Sequence, residues 1–168
     1  MIIVGDHLTE AAFSRTNNSE TDLFARSAFN RYYYAVFLIV KEKISVIKPE
    51  WGVMSHKHLP KVIKGQVITI IKNDIKRKIK KGVFKPNVGE SIKRTVIHSA
   101  NELANILENA YRIRVIADYE PKTKVKIINS TLFLGGEKSS DAKRWKNDAQ
   151  IYLTNILEAY KDVGLITD

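Results

Sequence analysis

Between residues 61 and 85 the sequence carries nine lysines and arginines against one carboxylate, Asp74. Lys72, Lys76 and Lys80 follow one another at four-residue intervals, so on a helix they form a ridge along one face. With Arg77 and Lys81 beside them, they present a row of point charges of the kind that meets a phosphate backbone. A solvated helix face is the ordinary alternative for such a run. A second group is Arg112, Arg114, Asp118 and Tyr119 in the segment YRIRVIADY. Arginines near the end of a helix suit its dipole, whereas Asp118 at the same end does not. Asp118 therefore calls for a salt bridge or a polar site. Arg112 and Arg114 could hold phosphate there, and Tyr119 could donate a proton.

Arg31 lies on the apolar stripe defined by Phe24, Ala28, Ala35 and Leu38. A guanidinium on a buried face needs a partner, because an unpaired buried charge costs several kcal/mol or more. Asp118 is the expected partner, and Arg31 is expected to be mostly buried. Tyr32, Tyr33 and Tyr34 are consecutive and point in three directions on a helix. They cannot all be core, so a packed pair with a rim residue such as Tyr34 is the plain reading. Stacking of bases or a subunit interface is the functional one. His56 and His58 flank Lys57 without a third ligand pattern, so no metal site is expected. Arg94 and His98 share a face in a pairing that is more often accidental than catalytic. The sequence has no phosphate-binding glycine loop, nucleophile elbow or paired-carboxylate motif, and no cofactor is expected.

The elements that position these residues read as helices. Amphipathic spacing predicts a short helix over 6–17 and a longer one over about 22–46, capped by Thr21 or Asp22 and ended before Pro49. A third covers about 57–81 with Ile68, Ile71, Ile75 and Ile79 as its stripe, possibly disturbed at Gly65. A fourth covers about 88–117, with Ile92, Val96, Ala100, Leu103 and Leu107. A last helix spans 141–161, with Trp145, Ala149, Tyr152, Ile156 and Tyr160 facing inward. Residues 122–138 read as an irregular or strand-like arm. The expected fold is all-α, an up-and-down bundle of four to five helices forming a single domain over 1–168.

Composition narrows the function. The 168 residues carry a formal net charge of +10, and 44% are hydrophobic. That is apolar enough for a core and basic enough to favour polyanion partners. No cysteine is present, which excludes disulfides, thiolate metal sites and thiol nucleophiles. The longest uncharged apolar run, Tyr32 to Val40, is nine residues, too short to cross a membrane. The opening MIIVGDHL lacks a basic region before an apolar one. A cytoplasmic location without membrane contact is expected.

The run Ala28-Phe29-Asn30-Arg31-Tyr32-Tyr33-Tyr34-Ala35-Val36-Phe37 resembles the "NRAYYAxFH" helix of HEPN-domain proteins. Ser55-His56-Lys57 is similar to the "THK" that follows it there, and Arg114-Val115-Ile116-Ala117-Asp118-Tyr119 to the "RxxADY" helix end. The three matches run in order over 28–119. The resemblance implies a helical bundle that forms homodimers. It also implies RNA as substrate or ligand, within a toxin–antitoxin or antiphage module. Many members are metal-independent endoribonucleases with an Arg-x(4–6)-His motif. Others are non-catalytic and bind an antitoxin or a nucleotidyltransferase-like partner. Here Arg112 and Tyr119 fit the spacing of Arg-x(4)-His-x-Tyr, but Ala117 occupies the histidine place. Leu38 stands where the tyrosine helix often carries histidine. The implied ribonuclease would lack its acid–base imidazole.

Overall fold

The computed structural model describes residues 1–167. It is mostly helical, with α1 (Ile2–Phe13), α2 (Asn18–Ile44), α3 (Leu59–Val62), α4 (Ile68–Lys80), α5 (Pro86–Tyr119) and α6 (Ser139–Asp162). A one-turn 3-10 helix covers Pro49–Val53, and a π turn, Ile63–Val67, joins α3 to α4. The expected third helix is therefore continuous in outline, and the disturbance at Gly65 is a local widening of the coil. Among the described residues no helix is long and apolar enough to cross a membrane.

The arm over 122–138, expected to be irregular or strand-like, adds a small sheet to the mostly helical fold. It forms a three-stranded antiparallel sheet of β1 (Lys126–Ile128), β2 (Thr131–Leu134) and β3 (Glu137–Lys138), in that order. Lys126 pairs with Phe133 and Ile128 with Thr131, leaving a two-residue turn at Asn129 and Ser130. Both turn residues have positive φ, 47° and 56°, as the twist of a tight hairpin demands. Gly135 and Gly136 make the second turn at φ 56° and 86°. A Cβ on Gly135 would lie 2.5 Å from Ile116 Cδ1, so this turn needs both the glycine conformation and its missing side chain. The strands are too short to show a period-two pattern, which is why the sequence left them ambiguous.

The chain packs as two compact units. The first comprises Met1–Leu38 and Glu108–Asn147, and so contains α1, most of α2, the end of α5, the sheet and the start of α6. Its core is built on Phe29, Tyr32, Tyr33, Ile113, Leu132, Leu134 and Trp145. Tyr32 and Tyr33 are fully packed while Tyr34 stays half-buried. Gly5 lets α1 approach the Tyr32 ring, since a Cβ there would meet Cε1 at 2.5 Å. The Tyr32 hydroxyl donates to Asp6 Oδ1 at 2.9 Å. Burial, together with the Asp6 carboxylate, pushes the Tyr32 phenol up to about 12.

The second unit comprises Ile39–Leu107 and the chain from Asp148 onward. Trp51, Ile63, Val67, Ile71, Ile75, Val96, Leu103, Leu153 and Ile156 form its core, in agreement with the isoleucine and leucine stripes. The Tyr160 hydroxyl, buried among them, donates to the Val67 carbonyl at the end of the π turn at 2.7 Å. A Cβ on Gly89 would meet Ile75 and Ile79 side-chain carbons at 2.7 Å, so α5 begins against the α4 stripe.

The N-terminal end of α2 departs from expectation. Asn17, not Thr21 or Asp22, caps it, its Oδ1 accepting the Ser19 N–H at 2.8 Å. The buried arginine of α2 is Arg26 and not Arg31. Arg26 is 11% exposed and pairs with Asp22 at 2.9 Å. Its guanidinium also donates to the carbonyls of Ile116 (2.9 Å), Ala117 (3.1 Å), Glu120 (3.1 Å) and Thr123. These carbonyls lie at the end of α5, where helical donors run out, and in the turn after it; those of Ile116 and Glu120 also accept the N–H groups of Glu120 and Thr123. Arg31 is half-buried and makes no ion pair among the described residues. The phase taken from Phe24 and Leu38 was misleading. Leu38 is 46% exposed, and Phe24 is half-buried with Arg15 over its ring at 4.7 Å. The buried face instead follows Ala25, Phe29, Tyr32, Tyr33, Val36 and Val40, more than a quarter turn away, and Arg31 falls outside it.

Two predictions follow from this contact. Replacing Arg26 by alanine removes a charged donor from Asp22 and from four carbonyls, of which Ile116 and Glu120 keep a backbone N–H. It should cost about 3–5 kcal/mol in urea unfolding, whereas Arg31→Ala should change stability by less than about 1 kcal/mol. Asp22 is also pH-sensitive. Burial raises its pKa, but the Val125 N–H and Arg26 outweigh burial, so the carboxyl is held below its ordinary 3.8. A lowered folded value gives stability that is complete above about pH 4 and is lost as pH falls through the folded value. The stability gap between the native chain and Asp22→Asn should accordingly be widest near neutrality and shrink on acidification below pH 4.

Candidate functional site

Two polar surfaces answer to the residues singled out above, one in each unit. In the first unit, α5 delivers Arg114 and Asp118 four residues apart on one face. Arg114 Nε lies 2.8 Å from Asp118 Oδ2, with the two side chains only 16% and 24% exposed. Asn30 of α2 donates to the other oxygen, Asp118 Oδ1, at 2.7 Å. The Tyr119 ring lies under the guanidinium, its centroid 5.1 Å from Arg114 Cζ. Desolvation works against the charge on Arg114. Bonds to the Tyr119 and Tyr34 side chains and the charge of Asp118 outweigh it, and the guanidinium titrates above its ordinary value.

Asp118 thus pairs with Arg114 and Asn30, where Arg31 was the expected partner. The structural reason is the helix phase: Asn30, one residue before Arg31, is the position that faces the α5 end. The dipole penalty on Asp118 is offset by two donors at hydrogen-bonding distance. Both carboxylate oxygens are engaged, and the guanidinium is held between two phenols and an acid.

Arg112 is not part of this cluster. Its Nη1 donates to the Gly135 carbonyl at 3.1 Å and its Nη2 to Asn109 Oδ1 at 2.9 Å. Asn109 in turn donates to Glu137 Oε2 at 2.8 Å. This arginine braces the turn between β2 and β3. Two residues along a helix is more than half a turn, which separates Arg112 from Arg114 by face. The spacing that matched Arg112 with Tyr119 does not bring them together, because Tyr119 stacks on Arg114.

The second unit carries the lysine ridge. Lys72, Lys76, Lys80 and Lys81 are all exposed, and none forms an ion pair among the described residues. Arg77 belongs to a different arrangement. It and Lys78 both pair with Asp74, a carboxylate whose side chain is 4% exposed; Lys78 Nζ lies 3.2 Å away. The single acid of the basic segment is thus turned inward and neutralised by two of its neighbours, and the ridge lysines remain free. His56 is half-buried in the turn before α3. His58, beside it, shares a hydrogen bond with Ser55 Oγ at 2.9 Å. His98, which shares a face with Arg94, lies edge-on to Tyr152 at 5.9 Å. Among the described residues no group of three or more carboxylates and imidazoles is placed to hold a metal.

Sequence reading missed Arg26 and Asn30. Arg26 had a signal, since Asp22 precedes it by four residues in the favourable order. Asn30 had none, because an asparagine four residues beyond Arg26 is unremarkable until α5 lies against it. Comparison with known proteins gives no match: no family model, no curated protein and no solved structure aligns significantly with the chain.

If the Arg114 cluster serves to hold α2 and α5 together, Arg114→Ala should lower the melting temperature by several degrees, as expected for loss of about 1.5–3 kcal/mol of charged hydrogen bonding. Arg112→Ala, at a more exposed brace, should lower it less.

Proposed function

We propose that this protein binds RNA through the α4 ridge, as a helical module of the HEPN kind its motifs resemble, and that it does not cut the RNA. The observation that carries the reading is the ridge itself: Lys72, Lys76, Lys80 and Lys81 are exposed and unpaired, while Asp74 is buried and neutralised and Glu90, which lines a groove with Lys72 and Lys76, is paired with Lys93. Four residues of helix advance about 6 Å, a spacing comparable to that of successive phosphates on an extended strand. Cations so placed release counterions on binding and give affinity with little sequence preference.

Two of the three HEPN-like segments meet in space, which supports the family reading. Asn30 and Tyr34 of the tyrosine helix contact Asp118 and Arg114 of the second segment. The same geometry favours binding over cleavage. The cluster offers a guanidinium, two phenols and a carboxylate, all mutually engaged, and no imidazole to move a proton near neutral pH.

A second reading, a non-catalytic module for a protein partner, is favoured by Leu23, Ile127 and Ile128 of the first unit. These are 62%, 51% and 49% exposed. Asp22, beside Leu23, accepts the Val125 N–H just before β1 at 2.8 Å. One measurement separates the two readings. Affinity for a labelled RNA should fall steeply with salt, and Lys72, Lys76 and Lys80 changed together to alanine should flatten the log–log slope by about 2. The RNA should stay full length with or without magnesium. RNA binding absent at low salt would leave the partner-binding module, and cutting that Arg114→Ala abolishes would make the protein a nuclease.

A further inference from the structure

The ridge does not end at α4. From α3 through the π turn to α4 the backbone stays helical, and Lys61, Gly65, Thr69, Lys72, Lys76 and Lys80 follow at intervals of four, four, three, four and four residues. All six are exposed. They form one stripe about 28 Å long at 1.5 Å per residue.

At its α3 end the stripe runs into a groove of about 480 Å³, within the size range of small-molecule sites. Lys48, Lys61 and His58 supply the donors of its wall, and Met54, Val62 and Ile70 supply carbon surface. No carboxylate lines it. Lys48 has an acidic neighbour, Glu50, at 3.8 Å, but an exposed pair of that length is worth little.

Gly65 faces the groove, and a Cβ built on it meets no atom within 4 Å. Glycine there is not demanded by packing, and its backbone is in the ordinary helical region, with φ not among the positive values. Inside a helix it is less favourable than alanine. What its missing side chain provides is open space at the point where the π turn widens the coil. Such turns are frequent at functional sites.

We infer that this groove receives one unstacked base of a single-stranded RNA whose backbone follows the lysine stripe. Lys48 and Lys61 hold the flanking phosphates, while Met54, Val62 and Ile70 cover the base. The inference rests on the proposed RNA binding by the ridge and adds to it a preference for single strands, because a duplex keeps its bases stacked and can meet only the lysines.

The test uses the intact protein and a fluorescein-labelled RNA of about twelve nucleotides, single-stranded or annealed to its complement, read by anisotropy. Gly65→Leu places a side chain in the open groove and raises helix propensity, so the variant should melt no lower than the native chain. It should bind the single strand about tenfold more weakly and the duplex unchanged, with an unaltered salt slope. Changing Lys72, Lys76 and Lys80 together should weaken both. Native protein that binds both RNAs, with Gly65→Leu indistinguishable from it on the single strand, overturns the groove and leaves the ridge standing. Native protein that binds neither RNA overturns the ridge and the groove with it.

Discussion

The guanidinium of Arg26 is the contact on which the first unit depends. A long helix that ends inside a protein leaves carbonyls without donors, and burying them unsatisfied is expensive. At the end of α5 no glycine cap follows, and backbone N–H groups reach the carbonyls of Ile116 and Glu120. One side chain from α2 donates to these two and to the carbonyls of Ala117 and Thr123, anchored by Asp22, 11% and 14% exposed respectively. Asp22 also accepts the Val125 N–H at 2.8 Å. A single acid–base pair thereby fixes the start of α2, the end of α5 and the entry to the sheet. The planar, multi-donor guanidinium suits this task where an ammonium would not.

Once α5 is held in this way, the residues of its last two turns acquire their surroundings. Arg114 and Asp118 lie one turn apart facing Asn30, with Tyr119 and Tyr34 closing over the guanidinium. The cluster looks like reactive chemistry in sequence and acts as a clasp in structure, because its guanidinium, acid and phenols are turned toward one another. The basic segment of the second unit shows the opposite balance. Asp74 is buried and drawn to Arg77 and Lys78, and Glu90 near Lys72 and Lys76 is taken up by Lys93, which leaves the outward lysines without an ion-pair partner among the described residues. The same residue types thus have different consequences according to whether acids lie within reach.

Much of this was legible from periodicity. The stripes Ile68, Ile71, Ile75 and Val96, Ala100, Leu103, Leu107 are buried as their spacing requires. The bounds of the longer helices lie within a few residues of expectation, and the break at Gly65 falls where the helix was expected to be disturbed. Of the sheet only a strand-like or irregular arm was legible, since strands of two to four residues carry no period, and its turns rest on backbone angles that Asn129, Ser130, Gly135 and Gly136 adopt only in context.

Arg31 shows where sequence alone stops. The chemical requirement was read correctly: a buried guanidinium on α2 must be paired, and an acid at the end of α5 must have a partner. What the sequence determined was the kinds of residue, the helices that carry them and the excess of positive charge along 61–85. Which arginine turns inward was decided by a rotation of α2 of more than a quarter turn. That rotation was set by the packing of Tyr32 and Tyr33, whose ring volume outweighs the Phe24 and Leu38 stripe. Local spacing fixes a helix's period but not its phase, and the phase follows from the surfaces that the helix meets.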